Sequence, residues 1–502
     1  MKTSSSAQLL LGNKQVVLLV ALIAITTRIA AAIALPNAEQ DGYSYAEIIN
    51  RLTNRIDAGQ LRVADLYGFW LPLFQLAATA LNLVLHNGVV AGKVVNAICG
   101  AATIVVVFLI TVELTGTIRF ALLTAGLMLL NPLHLLYSAA CMTDVPHACL
   151  VMISLWCAMR RKWLVSAVFG ALAGLVRIES WTLLLALPVL QWACERRISS
   201  AAVIMLFLPP LIWLVISTVA SGDPLHYFHD RARYHAEYIR FHPGRDGFSR
   251  AIVWGDISFF LLGAGEAVVA GGSLAAVIVA VQFFRANQPV NLDLLKPLGF
   301  AAAMLSLIVL GYVTKAQPVL LPRYGLTFFA LGLPVYGWTL QWLLLRSARR
   351  WVLHMGLWAA VVLAWLVQIH DQIPTIWKVR QDDRAQRRIA AAVAANVGQG
   401  AADHPCFSDD VAVRVLAGLP AKCFLQTSQV PPLAATGRSE FLTYLQKNNV
   451  TYLVFFPTED SLPAKFLPEL EKPDQAVDSP FEIIEFAPSD FGPDISLYRI
   501  RR

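Results

Sequence analysis

Apolar runs long enough to cross a hydrocarbon core recur through the first three quarters of this 502-residue chain, and they constrain it more than any other feature. A bilayer core takes about 20 apolar residues in a helix, and lipid offers no partner to an unpaired backbone group, so such runs must be helical. They can be read at 16–35, 89–112, 120–137, 145–159, 164–176, 181–193, 201–220, 257–284, 298–313, 326–345 and 351–369, about eleven spans. The chain is 57% hydrophobic and only 15% charged, more apolar than a soluble protein of this size can bury. An α-helical polytopic membrane protein follows.

The net charge of +7 would suggest nucleic acid in a soluble chain, but here the cations stand at helix ends, so no nucleic-acid partner is expected. Alternating crossings put Arg119, Arg160, Arg161, Lys162, Arg196, Arg197, Arg285, Lys296, Arg346, Arg349 and Arg350 on the cytoplasmic side together with the N-terminus, as the positive-inside bias requires. A cleaved signal peptide ending near Ala31 is the rival for the first run. That run is nearer bilayer length than signal-core length, so it reads as a retained span.

Residues 1–372 form the transmembrane domain, with external loops at 36–88 and 221–256. Residues 71–86 open with Pro72 and are too short to cross, so they read as an interfacial helix. The segment 163–194 must leave and return with about 15 residues per leg, which sinks its tip, with Arg177, Glu179 and Trp181, below the surface. Residues 373–502 carry polar helices and short apolar strands near 452–456 and 481–486, a small soluble α/β domain placed outside by an odd number of spans. Cys406 and Cys423 lie in it and can pair in an oxidising compartment. The other five cysteines read as packing.

Several polar residues on the external side can carry chemistry. Asp41, in Asp41-Gly42-Tyr43-Ser44-Tyr45, stands just past the first span with aromatic neighbours that can stack on a sugar, Tyr45 among them. It is either a general base for a hydroxyl or a helix N-cap. Asp144, before Val145-Pro146, has the same two readings. Arg177 and Glu179, with Lys315, Arg323 and Tyr324, form a cationic group on the side that normally lacks cations, which calls for an anionic partner such as a lipid phosphate. The alternative is an internal ion pair of Arg177 with Glu179 or Asp144. His226 and His229 have helical metal-ligand spacing, with His235 and His242 nearby, but no carboxylate follows at ligand spacing and a solvated loop is the plainer reading. Glu266, in a Gly-rich stretch, lines a cavity or pairs with a polar neighbour. Gly170 and Gly174 read as helix packing.

In order and placement this pattern resembles the GT-C superfamily of membrane glycosyltransferases, similar to the protein O-mannosyltransferases and the lipid A aminoarabinose transferases. The resemblance covers residues 15–345. It rests on Asp41 with Tyr45, on Trp70-Leu71-Pro72-Leu73, on Asn131-Pro132 through Asp144-Val145-Pro146, on Gly174-Leu175-Val176-Arg177-Ile178-Glu179, and on Pro322-Arg323-Tyr324.

The resemblance implies a GT-C-like membrane fold and transfer of a sugar from a polyprenyl-phosphate donor to a lipid, glycan or protein acceptor. It implies Asp41 as base with Asp144 as a second acid, and Arg177 and Arg323, joined by Lys315 and Tyr324, holding the donor phosphate. Tyr45 and Glu179 would contact substrate, and the anomeric carbon would invert. A divalent cation, Mg or Mn, is a further expectation of the family, although Gly42 stands where many relatives have a second acid. The expected location is the cell (inner) membrane, with the C-terminal domain periplasmic. A transporter or flippase for a lipid-linked saccharide is the rival, since charges inside a helical bundle also mark substrate pathways.

Overall fold

The computed structural model describes residues 14–241, 249–284, 292–314, 316, 319–347, 351–398, 405–457, 461–471, 480–488 and 494–501. It resolves into two compact units, one of Met1–Leu35 with Ile49–Pro374 and the other of Pro36–Ile48 with Thr375–Arg502.

The helices run in chain order as α1 (Lys14–Ala34), α2 (Glu39–Asp57), α3 (Leu73–Leu85), α4 (Gly88–Thr115), α5 (Ile118–Leu130), α6 (Pro132–Ser138), α7 (Asp144–Met159), α8 (Trp163–Gly174), α9 (Leu183–Glu195), α10 (Ser200–Ser221), α11 (His226–Phe241), α12 (Arg250–Ala264), α13 (Glu266–Phe284), α14 (Leu292–Val313), α15 (Pro322–Ser347) and α16 (Trp351–Val397). Among the described residues six helices are long and apolar enough to cross a membrane, and eight spans result if the bent pairs α5/α6 and α12/α13 each count once. The chain is thus a multi-pass membrane protein. Helices α3, α7 and α8 are apolar but shorter, so the structure does not give eleven full-length spans.

The run 257–284 is not one helix. Gly265, at φ +78°, turns α12 away from α13 by 89°, a conformation that an L side chain resists. Glu266 heads α13 and is exposed, where its charge suits the helix N-terminus instead of a cavity. Gly170 and Gly174 do pack helices: a Cβ on either would touch Leu206 or Pro209 of α10.

The second break, 64° between α5 and α6, has its cause in Pro132. Proline has no N–H to give the carbonyl four residues back, which orphans Met128, and the N–H of Leu133 turns to Gln372 instead of Leu129. Arg28 of α1, fully buried, donates to both stranded carbonyls, to Leu129 and to Met128 at 3.1 Å each, and meets His134 Nδ1 at 2.8 Å. Replacing Arg28 by Met should strand both carbonyls again and destabilise the first unit by roughly 2–6 kcal/mol, from about 1–3 kcal/mol per unsatisfied group. A clear fall in thermal stability in detergent, partly recovered by Arg28→Lys, is the expected reading.

The second unit is an α/β domain. Strands β1 (Cys406–Ser408), β2 (Phe424–Leu425), β3 (Tyr452–Phe455), β4 (Phe481–Ala487) and β5 (Ile495–Ile500) form one sheet in the order β2-β1-β3-β5-β4. The β2-β1-β3 pairs are parallel and β3-β5-β4 antiparallel. Because side chains alternate across a strand, Cys406 joins Ile389 and Val393 of α16 on one face, while Phe407 joins Phe441 and Leu445 on the other. Helices α17 (Val411–Leu416), α18 (Arg438–Lys447) and α19 (Leu462–Phe466) complete the domain. Cys406 and Cys423 share the first core as free, buried thiols, and burial pushes the Cys406 thiol up.

Candidate functional site

In the first unit the sequence-predicted acids and arginines converge. Pro146 sits in the first turn of α7, where a missing N–H costs nothing, and that turn presents Asp144, 3% exposed, and His147. The chain leaves α8 at Gly174, and a 3-10 turn over Ile178–Thr182 lets Arg177 and Glu179 double back toward α7. Arg177 Nη1 donates to Asp144 Oδ1 at 2.6 Å and Nη2 to Glu179 Oε1 at 2.7 Å. The internal ion pair is therefore what forms, and it engages both carboxylates at once. The Arg177 guanidinium also lies over the Tyr324 ring at 5.0 Å, with the Arg323 guanidinium 5.7 Å from the same ring.

These side chains line a small cavity, of about 10 Å³, together with His147, Met304, Ile308, Thr327 and Phe328. His147 ties three elements together, with Nε2 2.8 Å from Ser180 Oγ and Nδ1 3.1 Å from Thr327 Oγ1. Arg231 of α11 lies within electrostatic range of Glu179 and Tyr324. Two guanidiniums, Arg177 and Arg323, thus stand with the carboxylates of Asp144 and Glu179 in the cavity lining, and guanidinium groups so placed can receive an anion. Lys315 lies outside the described residues, as does His242.

Reading by type alone missed His147, Thr327 and Arg231. Spacing holds the signal for two of them, since His147 is one turn beyond Asp144 and Thr327 one turn beyond Arg323, each on the same helix face.

The height of Arg323 is set by backbone. A Cβ on Gly263 would stand 1.7 Å from the Pro322 carbonyl oxygen, and one on Gly325 would stand 2.3 Å from the Ala264 nitrogen. The end of α12 thus rests directly on the first turn of α15. Gly263→Ala should force the two helices apart at a cost of about 1–3 kcal/mol. Displacing Arg323 by an ångström or so should cut turnover by up to about 10²-fold, to be read from initial rates beside a melting curve.

Asp41 belongs to the second unit. It stands half-buried inside the first turn of α2 and not at its N-cap, since the helix begins at Glu39. Its segment is held firmly there: the Tyr43 hydroxyl donates to Asp383 Oδ1 at 2.7 Å, the Ala412 N–H donates to Gln40 Oε1 at 3.3 Å, and Arg414 Nη2 donates to Glu47 Oε2 at 3.2 Å. Gly42 is required here, because a Cβ would come within 2.9 Å of the Asn37 amide. Tyr43 and Tyr45 are both 2% exposed, so their rings belong to the packing of this segment. Burial, and then the Asp383 charge, pushes the Tyr43 phenol well up. Burial also raises Asp410, against the N–H of Val413 and the amides of Gln40 and Gln386, which favour its charged form.

His226 and His229 engage carboxylates, at 3.4 Å from Asp230 and 2.9 Å from Asp223. Burial, then the Arg231 charge, pulls His235 down to about 4. Among the described residues no group of three His, Cys, Asp or Glu is placed to hold a metal ion. Asp144 and Glu179 already share one guanidinium, so this donor set does not fit Mg or Mn.

No family model and no curated protein matches the sequence. Solved structures do match. A crystal structure of ArnT from Cupriavidus metallidurans bound to undecaprenyl phosphate superimposes with a TM-score of 0.59 at 15% identity, over 97% of this chain and 98% of that one. The Archaeoglobus fulgidus oligosaccharyltransferase in its apo form gives 0.53 at 13% identity, over 88% of this chain and 70% of that one. The oligosaccharyltransferase AglB from the same organism, in complex with an inhibitory peptide and a dolichol-phosphate, gives 0.50 at 13% identity, over 91% and 72%. The fold is that of the GT-C membrane glycosyltransferases.

Proposed function

We propose that this protein is a glycosyltransferase of the cell membrane, taking a hexose or pentose from a polyprenyl-phosphate donor and passing it to an acceptor hydroxyl on the external face. The observation that carries the reading is the cavity at which the Arg177 and Arg323 guanidiniums meet the Tyr324 ring, on a fold whose solved examples include one bound to undecaprenyl phosphate and one in complex with a dolichol-phosphate. As the bond from the anomeric carbon to the phosphate oxygen breaks, charge collects on the departing lipid phosphate, and preset guanidiniums stabilise it without reorganising.

The acceptor oxygen enters opposite the leaving phosphate, which inverts the anomeric carbon, and its proton passes to Asp41. Asp144 and Glu179 act through Arg177: by holding its charge in one place they set where the phosphate docks. Lys315 would add a cation to the same set. The N-terminus is cytoplasmic and the second unit periplasmic in this reading, and the acceptor is a lipid, a glycan or a protein.

The test is transfer in proteoliposomes from radiolabelled polyprenyl-phosphate sugars to host-membrane lipid, glycan and protein fractions. Label appearing in an acceptor fraction, dependent on the protein, supports the reading. Label that crosses the bilayer still attached to its lipid, with none transferred, would make the chain a flippase.

A further inference from the structure

A second cavity, of about 310 Å³, lies outside the arginine mouth and is lined by Tyr67, Gly68, Phe69, Tyr227, Asp230, Arg233 and Tyr234. Its size is at the lower end of the roughly 300–1,000 Å³ range of small-ligand pockets. Four of its seven lining residues are aromatic, and they are held by neighbours instead of lying loose on the surface. Tyr67 stacks on the buried Trp213 with centroids 5.7 Å apart and planes 13° from parallel, and Phe69 packs edge-on to Tyr234 at 5.1 Å. Arg231 lies over the Phe69 ring at 5.1 Å and donates to the Tyr227 hydroxyl at 2.9 Å.

Set among these rings is one carboxylate. Asp230 accepts a hydrogen bond from the Tyr67 hydroxyl at 3.1 Å and pairs with Arg233 and His226. Flat rings beside a carboxylate and a guanidinium suit one class of ligand particularly well. A pyranose has an apolar C–H face that lies on an aromatic ring, and a rim of hydroxyls that donate to carboxylates and accept from guanidiniums. A lipid chain would leave Asp230 and Arg233 without a role, and a phosphate would meet the Asp230 charge.

We infer that this cavity is a saccharide subsite that takes one or two pyranose rings on Tyr67, Phe69 and Tyr234 and binds their hydroxyls through Asp230 and Arg233. Its walls are continuous with the transfer mouth: Leu66, Tyr67, Tyr227, Ile178 and Trp181 share one hydrophobic cluster, and Ile178 and Trp181 belong to the tip that carries Arg177 and Glu179. Either the acceptor glycan or the sugar of the donor can supply the ring.

Gly68 makes the test clean. A Cβ there would meet nothing within 4 Å, so a side chain can start from this position without a clash, and Gly68→Trp places an indole at the cavity lining, with a melting curve to check that the fold is kept. Saturation-transfer NMR on the detergent-solubilised full chain, with methyl glucoside, galactoside, mannoside and N-acetylglucosaminide as probes, should show transfer to the ring protons of at least one. The signal should fall about tenfold in Gly68→Trp and in Tyr234→Ala. No saturation transfer to any of the four, or equal transfer in wild type and both variants, overturns the inference. Binding is read here without turnover, so its failure is separate from any failure of the glycosyltransferase reading. In the transfer assay, a raised KM for acceptor alone in Gly68→Trp assigns the subsite to the acceptor, and a raised KM for donor alone assigns it to the donor sugar.

Discussion

Asp41→Asn is expected to reduce sugar transfer by roughly 10²–10⁴-fold, the share that general-base catalysis commonly supplies, while hardly moving stability. The two roles open to this residue differ in magnitude, which makes the experiment decisive. As a charge inside the first turn of α2, Asp41 opposes the positive end of the helix dipole, an effect of about 0.3–1 kcal/mol at a surface. Loss of that alone would shift a melting curve slightly and leave turnover within a few-fold of wild type. Loss of a base leaves the acceptor proton nowhere to go. The measurement pairs initial rates with donor binding and thermal stability in one detergent preparation: a collapsed rate with donor binding and stability intact identifies the base, and an intact rate reduces Asp41 to a helix-terminal charge.

Arg177→Met should have the other large effect, for a different reason. It removes the cation that bridges Asp144, 3% exposed, and the Glu179 carboxylate, with side-chain exposure of only 13%. Breaking a buried pair from one side strands a charge and costs roughly 3–5 kcal/mol, so the variant should be unstable as well as inactive. Instability alone says nothing of the donor. The triple variant Arg177→Met, Asp144→Asn, Glu179→Gln removes the stranded charges together with their partner and should recover most of the lost stability. If it melts near wild type and still neither binds polyprenyl phosphate nor transfers sugar, the guanidinium serves the donor. If activity returns with stability, Arg177 serves the fold alone.

Much of this architecture was legible because membrane crossings are written in long apolar runs. The expected 89–112 and 201–220 became α4 and α10 within a few residues of both ends. The break in 257–284 was not legible from hydropathy, which sums side chains and is blind to one glycine at positive φ. The arginine mouth could be assembled from charges on the wrong side of the membrane, with the ion pair among its stated readings. That Arg177 engages both acids depends on how a 3-10 turn folds back, which no spacing rule predicts. Tyr45 was expected to face a sugar because of its type. Its burial follows from the side of α2 on which it falls, and the aromatic surface of the second cavity lies at half-buried Phe69 and at Tyr234 of α11, in segments whose composition reads as solvated chain.

The Arg28 contact has a consequence for how the chain is made. The guanidinium lies in α1, and the carbonyls it satisfies are about 100 residues further on. At 5–20 residues per second they follow after roughly 5–20 s. Through that interval α1 must sit in or beside the translocon carrying a charge that costs about 2.5–3.5 kcal/mol at mid-helix. Helix α1 can therefore enter the bilayer provisionally and settle only once α5, α6 and the proline between them have been synthesised. A nascent chain stopped before residue 128 should hold α1 in the membrane less firmly than one stopped after residue 140.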